Sequence, residues 1–305
     1  MTARQWSVMG LLALIWGSSF LFIKWGVTEM SPLMVVAGRM AMGLVFLFGA
    51  LLARGQHLPR RALWKPLFVV AIFNNVLPWL CLSWGEQYIS SGLASILNAT
   101  TPLFSIMLAS TWGDERFSKI RLGGLAVGFA GVVVLIGADL RDFFAEDNRV
   151  ALGELAVIIA SISYAIGAVF ARRTMRGESA LQLATGQLLI SSLIVLPFAL
   201  LPSNWPDTLP STKALLGVAA LGFFGSGLAY ILFYSLLEQV GATGTVVVTY
   251  LLPVVAVFLG WAVEGESILL RTITGMALIL AGILLVNQIG MGRLRAARAL
   301  RVSDS

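Results

Sequence analysis

Residues 92–111 read GLASILNATTPLFSIMLAST, 20 residues without a charge. A helix that crosses the hydrocarbon core of a bilayer needs about 20 mostly apolar residues. This stretch meets that requirement and carries Asn98 and Pro102 near its middle. Its pattern recurs. Asn98-Ala99-Thr100-Thr101-Pro102 stands opposite Thr249-Tyr250-Leu251-Leu252-Pro253 at an offset of 151 residues, which also pairs Glu115 with Glu266, Gly124 with Gly275, and Ala130-Gly131 with Ala281-Gly282. An offset of 148 pairs Gly38-Arg39 with Gly186-Gln187 and Trp16 with Tyr164, and Glu86-Gln87 answers Glu238-Gln239 after one inserted residue.

Ten segments of this kind follow one another: Trp6–Val27, Leu33–Ala53, Leu67–Gly85, Gly92–Thr111, Leu122–Ala138, Ala151–Ala171, Leu183–Leu201, Ala214–Leu236, Thr243–Val263 and Thr272–Ile289. The loops between them leave no room for a separate soluble domain. The first segment is too long for the apolar region of a signal peptide and is read as a retained helix. Five helices per repeat is an odd number, so the second repeat enters from the opposite side. The expected fold is an all-α integral membrane protein, with ten transmembrane helices as two inverted five-helix repeats. The repeats occupy residues 1–140 and 151–290, and a basic tail, 291–305, lies on the cytoplasmic side.

Composition agrees. Hydrophobic residues make up 58% of the 305 and charged residues 12%, against about 45–50% and 25% in soluble domains. The 21 basic and 15 acidic side chains cannot cover a water-facing surface of this size, which excludes a soluble enzyme, a disordered chain and a disulfide scaffold. One cysteine, Cys81, and one histidine, His57, leave no basis for a disulfide, a zinc or haem site, or a Ser-His-Asp triad. No catalytic residue, metal ligand or cofactor is assigned. The basic residues are scattered between apolar runs and suit a membrane face better than nucleic acid. With the N-terminus inside, 15 of the 21 fall on the cytoplasmic side, five (Lys24, Arg141, Arg149, Lys213, Arg271) on the other, and Arg39 within a span. That split follows the positive-inside rule and puts both termini in the cytoplasm.

Several residues bear on transport. Ser91, Ser95, Asn98, Pro102 and Ser105 recur at helical spacing, so one face of the fourth span is polar. Asn98 offers an amide suited to a zwitterion, while the serines suit helix–helix bonding. In the third span Asn75 and Trp79 share a face continued by Glu86, and Pro78 removes a backbone donor, producing a gate or a static kink. Ser226, Tyr230 and Tyr234 share a face of the eighth span; Thr245, Thr249 and Pro253 share one of the ninth, beside Tyr250. Arg39, inside the second span, is the costliest residue in the chain at roughly 2.5–3.5 kcal/mol. It needs a carboxylate, backbone carbonyls or a route to the interface. Glu86 and Glu238 end the third and eighth spans, where solvated helix ends or gate salt bridges both fit. No Asp or Glu sits at the centre of any span.

Trp16-Gly17-Ser18-Ser19-Phe20, Arg39, and Gly92-Leu93-Ala94-Ser95 leading to Pro102, echoed by Pro253 and Glu266, together resemble the EamA family of ten-helix carriers in the drug/metabolite transporter superfamily. The resemblance spans about 290 residues. It implies small-molecule transport by alternating access, commonly export of amino acids and other metabolites, along a path among the first, third, fourth, sixth, eighth and ninth spans. The superfamily's small multidrug exporters carry a carboxylate in the first helix, where this chain has Trp16-Gly17-Ser18-Ser19.

The expected function is a secondary transporter exporting a small neutral or zwitterionic metabolite, in a bacterial-type inner membrane. A lipid flippase and, behind it, a multidrug exporter are the alternatives. The expected substrate-binding residues are Trp16, Ser19, Arg39, Asn75, Trp79, Asn98, Tyr164, Tyr230 and Tyr250, with gating at Pro78, Glu86, Pro102, Glu238 and Pro253. The expected partners are a small solute and membrane lipids. Gly124 and Gly128, echoed by Ala277 and Ala281, mark close packing of the fifth and tenth spans, as a structural spine or a dimer contact; monomer and homodimer stand equally open.

Overall fold

The computed structural model describes residues 2–111, 119–137, 148–175, 179–245 and 247–303, without the side chains of 234, 237, 238, 241–244 and 287–303. Among the described residues there are helices and no strand. Nine helical stretches among the described residues are long and apolar enough to cross a bilayer: Ala3–Val27, Pro32–Ala53, Arg61–Gly85, Ser91–Thr111, Lys119–Ile136, Arg149–Thr174, Ala180–Ala199, Thr212–Phe233 and Val247–Glu264. A shorter apolar stretch, Leu270–Val286, supplies the tenth. The first span begins on what is here termed the terminal face and ends on the distal face. Large apolar side chains such as Leu14, Val45, Phe48, Leu193, Phe258 and Trp261 point outward, as a lipid-facing surface requires.

Serines start several spans. Ser31, Ser90, Ser179 and Ser211 each accept a hydrogen bond from the amide of the third residue of the following helix, satisfying donors that helix starts leave open. Proline and glycine decide where spans deviate from α geometry. Pro78 has no N–H for the Asn74 carbonyl, and the turn ahead of it, Ile72–Val76, widens into a π-helix, which relieves the ring's clash with that turn. Leu221–Leu228 in the eighth span is π-helical as well, with Gly222, Gly225 and Gly227 in place of a proline.

The fourth span is two helices, Ser91–Asn98 and Thr101–Thr111. Pro102 cannot bond the Asn98 carbonyl, and the Thr101 hydroxyl donates to it instead at 2.8 Å. Thr100 likewise donates to Leu97 O at 2.6 Å. The corresponding residues of the second repeat are Leu251 and Leu252, and there the helix runs unbroken through Pro253. The polar stripe expected along the fourth span is therefore divided by the break. Ser95 and Ser105 donate to carbonyls of their own helix segments.

Packing between the halves is reciprocal. The first span packs on the eighth and ninth, and the sixth on the third and fourth. The second packs on the eighth, and the seventh on the third. The fifth and tenth pack on each other. Each of these contacts thus has its inverse, as an inverted repeat demands. At the fifth–tenth seam, a Cβ on Gly124 would stand 2.9 Å from Gly282 O, and one on Gly131 2.8 Å from Gly275 O. The tenth-span partners are thus Gly275 and Gly282. Ala277 and Ala281, expected there, are exposed, because the helix turns its glycines rather than its alanines toward the neighbour.

Candidate functional site

Arg39 is buried at 7% exposure, two turns into the second span. Its Nε donates to Ser226 Oγ at 2.9 Å, and its guanidinium carbon lies 3.8 Å from the ring centre of Trp79. That stacking suits a planar, delocalised cation. Tyr164 and Tyr230 lie within electrostatic range of it and pack on the same apolar cluster as Trp79. Ser19 Oγ and Arg39 Nη2 both overhang Gly225, 3.1 and 3.9 Å from where its Cβ would stand. The glycine gives them room. Arg39 therefore does not snorkel, and no described carboxylate forms an ion pair with it.

The inverse position holds a neutral pair. Gln187 Nε2 donates to Asn75 Oδ1, both residues buried, and Asn75 Nδ2 has no partner among the described residues. The π segments are held by side chains from the opposite half. Trp16 Nε1 donates to Gly225 O at 3.1 Å, and Ser163 Oγ to Phe73 O at 2.8 Å. Trp16 also lies 5.3 Å, ring to ring, from Phe233.

The structure thus brings together Ser19, Arg39, Trp79, Tyr164 and Tyr230, with Trp16 and Asn75 anchored at the adjoining π segments. Asn98 stands at the fourth-span break, half-buried, its Oδ1 enclosed without a hydrogen bond to a described residue. Tyr250 packs on a different apolar cluster, around Leu97 and Val257, to which Tyr164 also belongs. Pro78 and Pro253 are buried; Pro102 is half-buried. The side chains of Glu238 and Tyr234, and all of Glu115, lie outside the described residues.

Glu86 is not a solvated helix end. It is 0% exposed, and neither carboxyl oxygen has a hydrogen-bond partner among the described residues. The turn it begins is pinned from both sides. Lys24 Nζ donates to Glu86 O at 2.7 Å and Ile89 O at 3.0 Å. Glu266 accepts from Ser91 N at 2.7 Å and Gly92 N at 3.1 Å, placing a carboxylate on the positive end of the fourth span. Gly265, at φ +67°, ends the ninth span and swings Glu266 there, with Glu266 N bonding Gly260 O at 3.0 Å. Two further ties close the distal face. Glu264 takes bonds from Lys213 and Trp25 at 2.7 Å each, and Glu29 takes two from Ser211. Those two bonds hold the Glu29 carboxyl below the usual carboxylate range.

Toward the terminal face, Arg54, Gln56, Ser179, Leu181, Tyr230 and Ser235 help line a cavity of about 310 Å³. Sequence reasoning did not include Gln187, Ser226, Lys24 or Glu266 among the site residues. The pairing of Arg39 with Gln187 by offset was the available signal for Gln187. Nothing in the sequence joins Ser226 to Arg39, 187 residues away.

The EamA-like transporter family model matches residues 5–137 and again 151–288. An uncharacterized transporter of Archaeoglobus fulgidus is 28% identical over 93% of this chain and 98% of its own. The uncharacterized inner membrane transporter YedA of Escherichia coli K12 is 30% identical over 84% and 82%. The S-adenosylmethionine/S-adenosylhomocysteine transporter of Chlamydia muridarum is 27% identical over 84% and 83%. A solved crystal structure superposes with a TM-score of 0.66, covering 95% of this chain and 98% of that one at 20% identity, a likeness of fold. Two family matches in tandem, each over one five-helix half, make this chain a multi-pass membrane transporter that belongs to the EamA-like transporter family.

Proposed function

We propose that this transporter exports a small neutral or zwitterionic metabolite, an amino acid or related amphipathic compound, by alternating access between the repeats. The observation that carries the reading is Arg39, a buried cation stacked on Trp79 beside Tyr164 and Tyr230, with no carboxylate among the described residues paired to it. An aromatic-lined site with one cation suits a solute with an apolar body and a polar, negatively charged end. The name of the Chlamydia relative, whose solutes are amphipathic and carry an amino-acid group, supports the same class.

The units that move against each other are residues 1–140 and 151–290, and the tail from 291 is cytoplasmic, as are both termini. In this orientation the distal face is periplasmic. Its ties through Lys24, Glu266, Glu264 and Glu29 and the cavity toward the terminal face support a state closed to the outside. Substrate contact is assigned to Trp16, Ser19, Arg39, Asn75, Trp79, Asn98, Tyr164, Tyr230 and Tyr250. Gating is assigned to Pro78, Glu86, Pro102, Glu238 and Pro253.

Counterflow in proteoliposomes, with radiolabelled amino acids and S-adenosylhomocysteine, tests the reading. Exchange above protein-free vesicles is expected for at least one solute, and none for any removes the metabolite-carrier reading. One feature favours a lipid substrate: an open, apolar recess of about 370 Å³ near the distal face, lined by Leu33, Leu80, Cys81 and Trp84 among others. Scrambling of a fluorescent phospholipid in the same vesicles decides that alternative.

A further inference from the structure

The Arg39 guanidinium is half used. One N–H, on Nε, goes to Ser226, and one face of the plane lies on Trp79. The four N–H groups of the two terminal nitrogens make no hydrogen bond to a described residue. They are also not sealed in protein, since neither nitrogen is among the buried side-chain atoms that lack a partner. Such a fork, held by a hydroxyl behind and an indole beneath, is the geometry that receives a carboxylate through two parallel bonds.

Resting on the carrier reading above, we propose that Arg39 is the substrate's carboxylate receptor: the transported solutes bear a carboxylate that docks on its free edge, with their apolar part against Trp79, Tyr164 and Tyr230. Charge selects carboxylate over phosphate. A phosphomonoester carries about 1.5–2 negative charges near neutrality, and among the described residues this site holds a single cation. The next basic group, Lys24, is committed to the carbonyls of Glu86 and Ile89. The inverse position confirms that the charge is placed on one side only. Gln187 stands where symmetry would put a second arginine, and its amide is bonded to Asn75. The receptor therefore belongs to the second and eighth spans, and the solute binds in one orientation relative to the pseudo-twofold axis.

The test uses the purified full-length protein and matched probes: L-phenylalanine, L-tryptophan and 3-phenylpropionate, their carboxamides, and phenyl phosphate. Affinities are read from ligand-induced thermal stabilisation. Each acid that binds is expected to do so at least about tenfold more tightly than its amide and than phenyl phosphate, and Arg39→Gln to bring the acid-to-amide ratio to about one. Arg39→Lys keeps the charge but loses the fork, and an intermediate ratio is expected there; should Arg39→Gln not fold, this variant and the wild-type ratio still decide. Equal binding of acid and amide, tighter binding of phenyl phosphate, stabilisation by none of the acids, or a ratio unchanged in Arg39→Gln each overturns the assignment. Flux separates the two readings. Amides that exchange as fast as acids leave the carrier and remove the receptor. Acids that bind selectively but never exchange leave the receptor and remove the carrier.

Discussion

Arg39 and Ser226 join the second span of one repeat to the π segment of the other through a 2.9 Å hydrogen bond, and Gln187 and Asn75 form the inverse bond. The two pairs stand in equivalent places but differ in charge. A hydrogen bond between transmembrane helices is worth about 0.6 kcal/mol on average and up to about 1.7. With its charged donor, the Arg39 bond belongs at the upper end. Ser226→Ala is expected to cost about 1–2 kcal/mol, and replacing Asn75 and Gln187 together by leucine less than half of that, since no buried polar group is left unpaired. Unfolding of the purified protein in mixed micelles measures both.

Trp79 supports the guanidinium from below. A desolvated cation–π contact contributes about 2 kcal/mol. Trp79→Leu is expected to lower solute affinity by about tenfold or more, while Trp79→Phe, which keeps a π face, loses less. Competition binding on the two variants checks the order.

Glu266 fastens the ninth span to the start of the fourth through the amides of Ser91 and Gly92. A carboxylate at a helix N-terminus contributes about 0.3–2 kcal/mol. Glu266→Ala is expected to raise the distal-open population roughly three- to tenfold. Maleimide labelling of Ser91→Cys, in a Cys81→Ser background, reads that population, because Ser91 is fully buried in this structure. Glu266→Gln keeps an acceptor for one amide and is expected to fall between.

The fifth–tenth seam tolerates no side chain at Gly282, where a Cβ would stand 2.5 Å from the backbone nitrogen of Gly128. Since that atom is backbone, the helices themselves must separate. Gly282→Leu is expected to cost about 3 kcal/mol or more and Gly123→Leu almost nothing, because the space around Gly123 is open. Thermal unfolding of the two variants gives the contrast.

The Glu29–Ser211 tie is pH-dependent. Because the folded carboxyl titrates below its ordinary value, its contribution is complete above the unfolded pKa of about 4.3 and drains away as pH falls through the folded pKa. Ser211→Ala removes the bonds that lower it. The variant is therefore expected to lose less stability than wild type between roughly pH 5 and pH 3, measured as melting temperature against pH.

The ten spans were legible because a bilayer allows few solutions: a run of apolar residues must be a helix, and each run announces itself. Their odd number per half makes the repeat inverted. The site was legible in part. Arg39, Trp79, Tyr164 and Tyr230 stood out as costly or amphipathic residues in apolar surroundings, and they meet. Their partners did not stand out. Ser226 is a common residue in a glycine-rich run, and only the turn at Gly265 brings Glu266 onto the fourth span.

What the sequence determined by itself was therefore local or arithmetic: helix positions, the proline sites, the repeat, and the scarcity of charge. Tertiary structure alone decided which residues meet across 187 positions at Arg39 and Ser226, that Glu86 is buried rather than solvated, and that Gly275 and Gly282, not Ala277 and Ala281, face the fifth span. The physical reason is rotation. Hydropathy sets where a helix crosses the membrane, but its rotation about its own axis is set by close packing against neighbours, where one missing Cβ outweighs any average over the segment.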